Sequence, residues 1–321
     1  MSHLNINARQ VMIVHEEQTT PAPILQAIER ITEMINIDSL DVFYGRYHAL
    51  TIDRPIYVEP GDRVGIIGSN GAGKTTLIRA LLGQAQARGN FSVALPPHKI
   101  AVHMQQNEYT SVLPIKVIIE RIIDRPIAED TFIQELISFF DFEKNLKKRY
   151  KTLSGGEKQR LTLILVLYQR SPLVFMDEVT SGLDFVTRQQ VMELLVDWFA
   201  ESNQTLCIVS HYYTELEKLV NKIIYLEDGQ LVDWGGNQEL FRKYCGKTVL
   251  MCENNVTNKA LMSGYKPMAA PDHLLAFSCK DAAEEASMSS LLRHHDIDYR
   301  RTSNDIELMT INAKKYWESK V

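Results

Sequence analysis

Gly68-Ser69-Asn70-Gly71-Ala72-Gly73-Lys74-Thr75-Thr76 is the stretch of this chain best suited to chemistry. It follows the apolar run Val64-Gly65-Ile66-Ile67 and precedes Leu77-Ile78-Arg79-Ala80-Leu81-Leu82, which has helical spacing. Strand, glycine-rich turn and helix are the context that the pattern G-x-x-x-x-G-K-[ST] requires. The glycines let successive backbone N–H groups turn inward toward phosphate oxygens, and the helix start adds unpaired N–H groups and the positive end of its dipole. Lys74 would reach the outer phosphates and Thr75 would offer a hydroxyl to magnesium.

A second anion-binding helix start is written into Leu153-Ser154-Gly155-Gly156-Glu157-Lys158-Gln159-Arg160. Ser154 and Glu157 have capping-box spacing, and Gly155 and Gly156 leave the backbone N–H groups uncovered. Asp177-Glu178 follow the apolar strand Leu173-Val174-Phe175-Met176, and His211 follows another at Thr205–Val209. A lone Asp-Glu pair is usually a solvated turn; at the ends of two strands of one sheet, the pair and the histidine become candidates for one site. There Asp177 could hold magnesium or its water and Glu178 could orient or deprotonate a nucleophilic water.

The set as a whole, in this order, resembles the ABC-type ATPases over roughly residues 35–243. The resemblance implies a P-loop NTPase of α/β class. Its parts would be a mixed sheet core, an antiparallel β subdomain, a helical subdomain and a small α+β C-terminal appendage. It implies ATP and Mg2+ as ligands, with Gly68 through Thr76 around the phosphates and Tyr44 stacking on adenine. Thr75, Asp177 and Gln105 would serve the metal, and Glu178, His211 and Gln105 catalysis. Gln106 is an alternative to Gln105. Ser181-Gly182-Leu183-Asp184 resembles the family's D-loop. Ser154 and Gly156 would act across a head-to-tail homodimer that sandwiches two ATP, with Gly155 and Asp184 as further nucleotide-binding candidates. Ser69 stands where many members have proline, and Val179 replaces a frequent proline after the catalytic glutamate; neither change removes a catalytic group.

Around these residues the chain of 321 residues is ordinary in composition, with 45% hydrophobic and 23% charged residues. Its net charge of -5 gives no electrostatic case for nucleic acid. Four cysteines without C-x-x-C spacing favour neither zinc nor a disulfide framework, which fits a reducing compartment. The first 20 residues have no secretory pattern, and no apolar run approaches the ~20 residues of a membrane span.

Residues 1–34 read as an N-terminal extension with a short amphipathic helix carrying Ile24, Leu25, Ile28 and Ile31. Residues 35–245 read as the ATPase domain. Two helical patterns at 107–150, interrupted at Pro126, form an insertion ending in the basic run Lys144–Lys151. Asp228-Gly229 predicts a hairpin turn. Residues 246–321 read as an accessory domain: a linker through Gly264, Pro267 and Pro271, then a βαββ-like unit whose last strand is Ile306–Ile311. That domain is expected to be dispensable for ATP turnover.

One cassette per chain and a short segment between Thr76 and Ser154 set this sequence apart from translation factors and chromosome-maintenance relatives. The helical insertion resembles that of transporter subunits, which implies an integral membrane permease as partner. The expected location is the cytoplasmic face of the inner membrane, where the chain would be peripheral. The tail resembles that of drug and polysaccharide exporters, so export is the expected direction. A soluble mechanical or assembly ATPase is the alternative.

Overall fold

A computed structural model describes residues 32–104 and 113–320. The helix expected at Ile24–Ile31 and both candidate glutamines, Gln105 and Gln106, lie outside the described residues. The chain opens with strands β1 (Ile35–Ile37), β2 (Leu40–Tyr44), β3 (Tyr47–Ile52), β4 (Ile56–Val58) and β5 (Arg63–Ile67). Helix α1 (Lys74–Leu81) precedes β6 (Gln86–Arg88), β7 (Phe91–Val93) and β8 (Ala101–His103). Then come α2 (Ile115–Ile123), α3 (Thr131–Phe139), α4 (Gly155–Tyr168), β9 (Leu173–Asp177), α5 (Phe185–Glu201), β10 (Thr205–Val209) and α6 (Tyr213–Leu219). The body closes with the hairpin β11 (Lys222–Glu227) and β12 (Gln230–Gly236), and α7 (Asn237–Cys245). Asp228 (φ 46°) and Gly229 (φ 72°) both take the left-handed conformation that such a two-residue turn needs.

Among the described residues the main sheet has nine strands, in the order β6-β2-β3-β12-β11-β5-β10-β9-β8. From β11 to β8 every pairing is parallel, while β11–β12, β2–β3 and β2–β6 are antiparallel. The parallel strands are apolar on both faces because both faces are covered. Leu173 and Phe175 point into one core with Cys207, Val209, Val64 and Ile66. Val174 and Met176 point into the other with Leu206, Ile208 and the apolar sides of α4 and α5. A second sheet, β4-β1-β7, is antiparallel throughout. The helical insertion is built on Ile115, Ile118, Ile119 and Ile123 of α2 and Ile133, Leu136 and Ile137 of α3, all buried. Asp124 ends α2 in the left-handed region, and the Asp130 carboxylate caps α3 by accepting from the Ile133 N–H.

The C-terminal segment departs from its reading in two places. Thr248-Val249-Leu250-Met251-Cys252-Glu253, within the stretch read as a linker, is a buried central strand, β13. It is followed by α8 (Val256–Leu261), β14 (Leu274–Cys279), α9 (Ala282–His294) and β15 (Tyr299–Thr302), in a sheet ordered β14-β13-β15. Ile306–Ile311 is not a strand but the start of a helix, α10 (Ile306–Glu318), capped by Asp305, whose side chain accepts from the Leu308 N–H. A short apolar run has no periodicity that separates strand from buried helix, and the cap decides it.

The sheet carries its own small core of Leu250, Cys252, Met262, Phe277, Cys279, Met288 and Leu292. Helix α10 does otherwise: Ile306, Leu308, Met309 and Ala313 are buried in the main core of the ATPase body. The Ile306 N–H donates to Glu217 of α6 at 2.8 Å. The segment is thus built into the body, which runs against its being dispensable. Met309→Ala is expected to destabilise the body by about 2–5 kcal/mol and to lower the midpoint of a single cooperative unfolding transition. Two separate transitions, with the body's midpoint unmoved, would show that α10 is independent of it.

Candidate active site at the strand ends

The parallel register brings the chemistry to one edge. Val209 lies opposite Asp177 across β10–β9 and opposite Ile66 across β10–β5. The turns after β5, β9 and β10 therefore leave the sheet side by side, at the carboxyl ends where open α/β sheets bind ligands. The 68–73 loop, the Asp177-Glu178 pair and His211 lie on these three turns.

Within the loop, Gly68, Gly71 and Gly73 all have positive φ (146°, 84° and 99°). At Gly68 a methyl group would overlap the Leu226 carbonyl oxygen, so the loop passes closer to β11 than any side chain permits. Lys74 is buried at the first position of α1 and folds back, its ammonium donating to the carbonyls of Gly68 (2.9 Å) and Ser69 (2.8 Å). Burial pulls the Lys74 ammonium below its ordinary pKa, against the opposing pull of Glu178, Asp177 and Glu227. Ser69 has a role that its family position does not predict. Its N–H donates to Oε2 of Glu227 at 3.4 Å, a bond that a proline there could not make.

Thr75 donates its hydroxyl to Oδ2 of Asp177 at 2.7 Å. The other oxygen, Oδ1, is buried without a hydrogen-bond partner among the described residues. Burial raises the Asp177 carboxyl above the usual range; the Thr75 bond opposes this and the adjacent Glu178 charge reinforces it. An orphaned carboxylate oxygen beside a hydroxyl is a hard-oxygen donor set that fits magnesium.

Glu178 holds φ 51° with its N–H bonded to the Val209 carbonyl. A non-glycine residue in that region is strained by about 1 kcal/mol or more and is held there by its surroundings. The strained turn sets the carboxylate beside His211, with Nε2 3.0 Å from Oε1.

The remaining candidates fall into two groups. Tyr44 is 42% exposed at the end of the β2–β3 hairpin, directly paired with Tyr47, which is 69% exposed. That hairpin reaches the loop through Leu50, which lies against Gly73. Ser154 caps α4 in a complete capping box: its hydroxyl accepts from the Glu157 N–H, and Glu157 accepts from the Ser154 N–H (2.8 Å) and from Lys148 (2.6 Å). Gly156 is packed so closely on Thr187 that a methyl group there would overlap the Thr187 side chain. Asp184 caps α5, accepting from Val186 and Thr187. Ser154, Gly155 and Asp184 are exposed, while Gly156 is buried.

Asp177→Asn tests the buried donor set. A carboxyl whose folded-state pKa is raised stabilises the fold below its ordinary pKa and loses that contribution as pH rises through the raised value. The variant should therefore melt higher than wild type at neutral pH without ligand, while its Mg2+-dependent gain in nucleotide affinity disappears. Lower thermal stability together with intact Mg2+ dependence would remove Asp177 from the metal site.

Residues 54–181 match the protein family described as ABC transporter. The ABC transporter ATP-binding protein YtrB of Bacillus subtilis (strain 168) is 30% identical over 227 residues, 67% of this chain and 76% of the relative. The methionine import ATP-binding protein MetN of Clostridioides difficile (strain 630) is 25% identical over 290 residues, 83% of this chain and 85% of the relative. A solved structure titled as an ATP-binding subunit of an ABC transporter superposes with a TM-score of 0.57 at 20% identity, covering 66% of this chain and 94% of that one. With loop, acidic pair and signature helix on one P-loop ATPase sheet, the chain belongs to the ABC transporter ATP-binding proteins.

Proposed function

We propose that this protein hydrolyses ATP between two copies of its nucleotide domain and passes the resulting closure and opening to a separate integral membrane subunit. The observation that carries the reading is the convergence of the glycine loop, the orphaned Asp177 oxygen and the Glu178–His211 pair at adjacent strand ends.

The loop N–H groups and Lys74 hold the triphosphate, with the ammonium exchanging the Gly68 and Ser69 carbonyls for phosphate oxygens. Thr75 and Asp177, with Gln105, would hold Mg2+, which would supply charge neutralisation on the phosphates. Glu178 orients the attacking water and accepts its proton. His211, bonded to Glu178, steadies that carboxylate and faces the reacting phosphoryl group. Tyr44 supplies a ring for adenine.

Ser154, Gly155 and Gly156, with Asp184, serve the nucleotide held by the partner copy. The exposure of Ser154, Gly155 and Asp184 on this chain, at two capped helix starts, supports that role. Gly156 packed on Thr187 ties the signature helix to the helix that Asp184 caps, so closure on ATP moves both together.

No helix among the described residues is long and apolar enough to cross a membrane, so the pathway for cargo would belong to the partner. The cytoplasmic face of the membrane is the place where such a pair would meet. The tail's likeness to exporters points outward, whereas the MetN alignment covers 83% of this chain, reaches past residue 245 and belongs to an import subunit. The tail therefore does not favour export, and the membrane partner decides direction.

Lys74→Ala should abolish ATP binding measured by calorimetry. Glu178→Gln should retain binding and slow hydrolysis by roughly two to three orders of magnitude. Normal turnover in the glutamine variant would assign the base elsewhere. The tagged protein should co-purify from detergent with an integral membrane protein; recovery only in ribosomal or chromatin fractions would favour a soluble mechanical ATPase.

A further inference from the structure

Glu227 ends β11 directly behind the phosphate loop, 3% exposed. Its Oε2 accepts from the Ser69 N–H and from the Tyr225 hydroxyl, both at 3.4 Å. Its field reaches Lys74, the residue that faces phosphate. A buried carboxylate bonded to a loop meant for a triphosphate is a like charge in the wrong place. It would weaken binding unless a cation stands beside it.

The cation comes from the other end of the chain. Lys314, on α10, donates from Nζ to Oε1 of Glu227 at 2.6 Å. Glu227 thus has one oxygen on the phosphate loop and the other on the C-terminal helix. The Glu227 bond, with the charges of Glu318 and Asp228 behind it, holds the Lys314 ammonium above its ordinary range. Burial would raise the Glu227 carboxyl, but the bonds to Lys314 and Ser69 outweigh it and hold the group ionised below the usual range. Helix α10 is anchored for this contact by Ile306, Leu308 and Met309 in the main core and by the Ile306 bond to Glu217.

We propose that Lys314 is a positioning residue of the nucleotide site: docked on the body by α10, it neutralises Glu227 behind the phosphate loop and thereby sets the loop's affinity for triphosphate. The consequence is that the C-terminal segment and the nucleotide are coupled. Whatever shifts α10 uncovers a negative charge at the loop, and bound triphosphate in turn favours the docked helix, because coupling between two sites is reciprocal. The proposal rests on the reading of residues 68–75 as the phosphate site.

Three variants of the full-length protein test it, each measured by calorimetric titration with ATP and by thermal melting. Lys74→Ala is the control for the underlying reading: if it binds as wild type, that reading fails first. With the control behaving as expected, Lys314→Met should weaken ATP binding roughly tenfold and raise KM for hydrolysis with kcat little changed. Adding Glu227→Gln to Lys314→Met should bring the affinity back to within about twofold of wild type, because the uncompensated charge is gone. A Lys314→Met protein that melts lower but binds ATP as wild type would make the ion pair purely structural. Weakened binding that Glu227→Gln does not rescue would rule out charge compensation. Either result overturns the proposal.

Discussion

Because β9, β10, β5 and β11 pair in parallel and in register, the chain leaves the sheet four times at one edge, and everything chemical depends on that coincidence. A slip of one residue between β9 and β10 would turn Asp177 into the opposite core and separate Glu178 from His211. Such a slip is opposed on both faces at once, since alternate residues of each strand are buried in different clusters. The site is therefore as well fixed as the cores beneath it, although its own residues lie on turns.

The second constraint is charge. Lys74, Asp177, Glu178 and Glu227 stand close enough to act on one another, with Lys74 and Asp177 nearly excluded from water. The ammonium is satisfied by two carbonyls of its own loop, and one oxygen of Asp177 has no partner among the described residues. In the proposed reading, a triphosphate with its cation would complete both. The fold thus holds an incomplete polar network in place by packing, the usual cost of a preorganised site.

The phosphate loop, the signature helix, the acidic pair and the α/β alternation were legible in the sequence because each is a local pattern with a mechanical reason. The tail was not. Val249 through Cys252 form a strand without polar alternation because β13 is central and covered, and Ile306–Ile311 offered a run too short to show its period. The Ser69–Glu227–Lys314 chain was beyond any motif, since its members are joined only by the meeting of β11, the loop and α10.

The capping box at Ser154 has a further result for the proposed recognition between copies. A hydroxyl has two acceptor lone pairs and a single proton. Here a lone pair is engaged by the Glu157 N–H, so the oxygen is fixed at the helix start while its hydrogen remains free to swing outward. In that proposed pairing, one side chain would start its own helix and greet an incoming anion without choosing between the two tasks. Alanine could do neither, and aspartate would perform the first while repelling the guest.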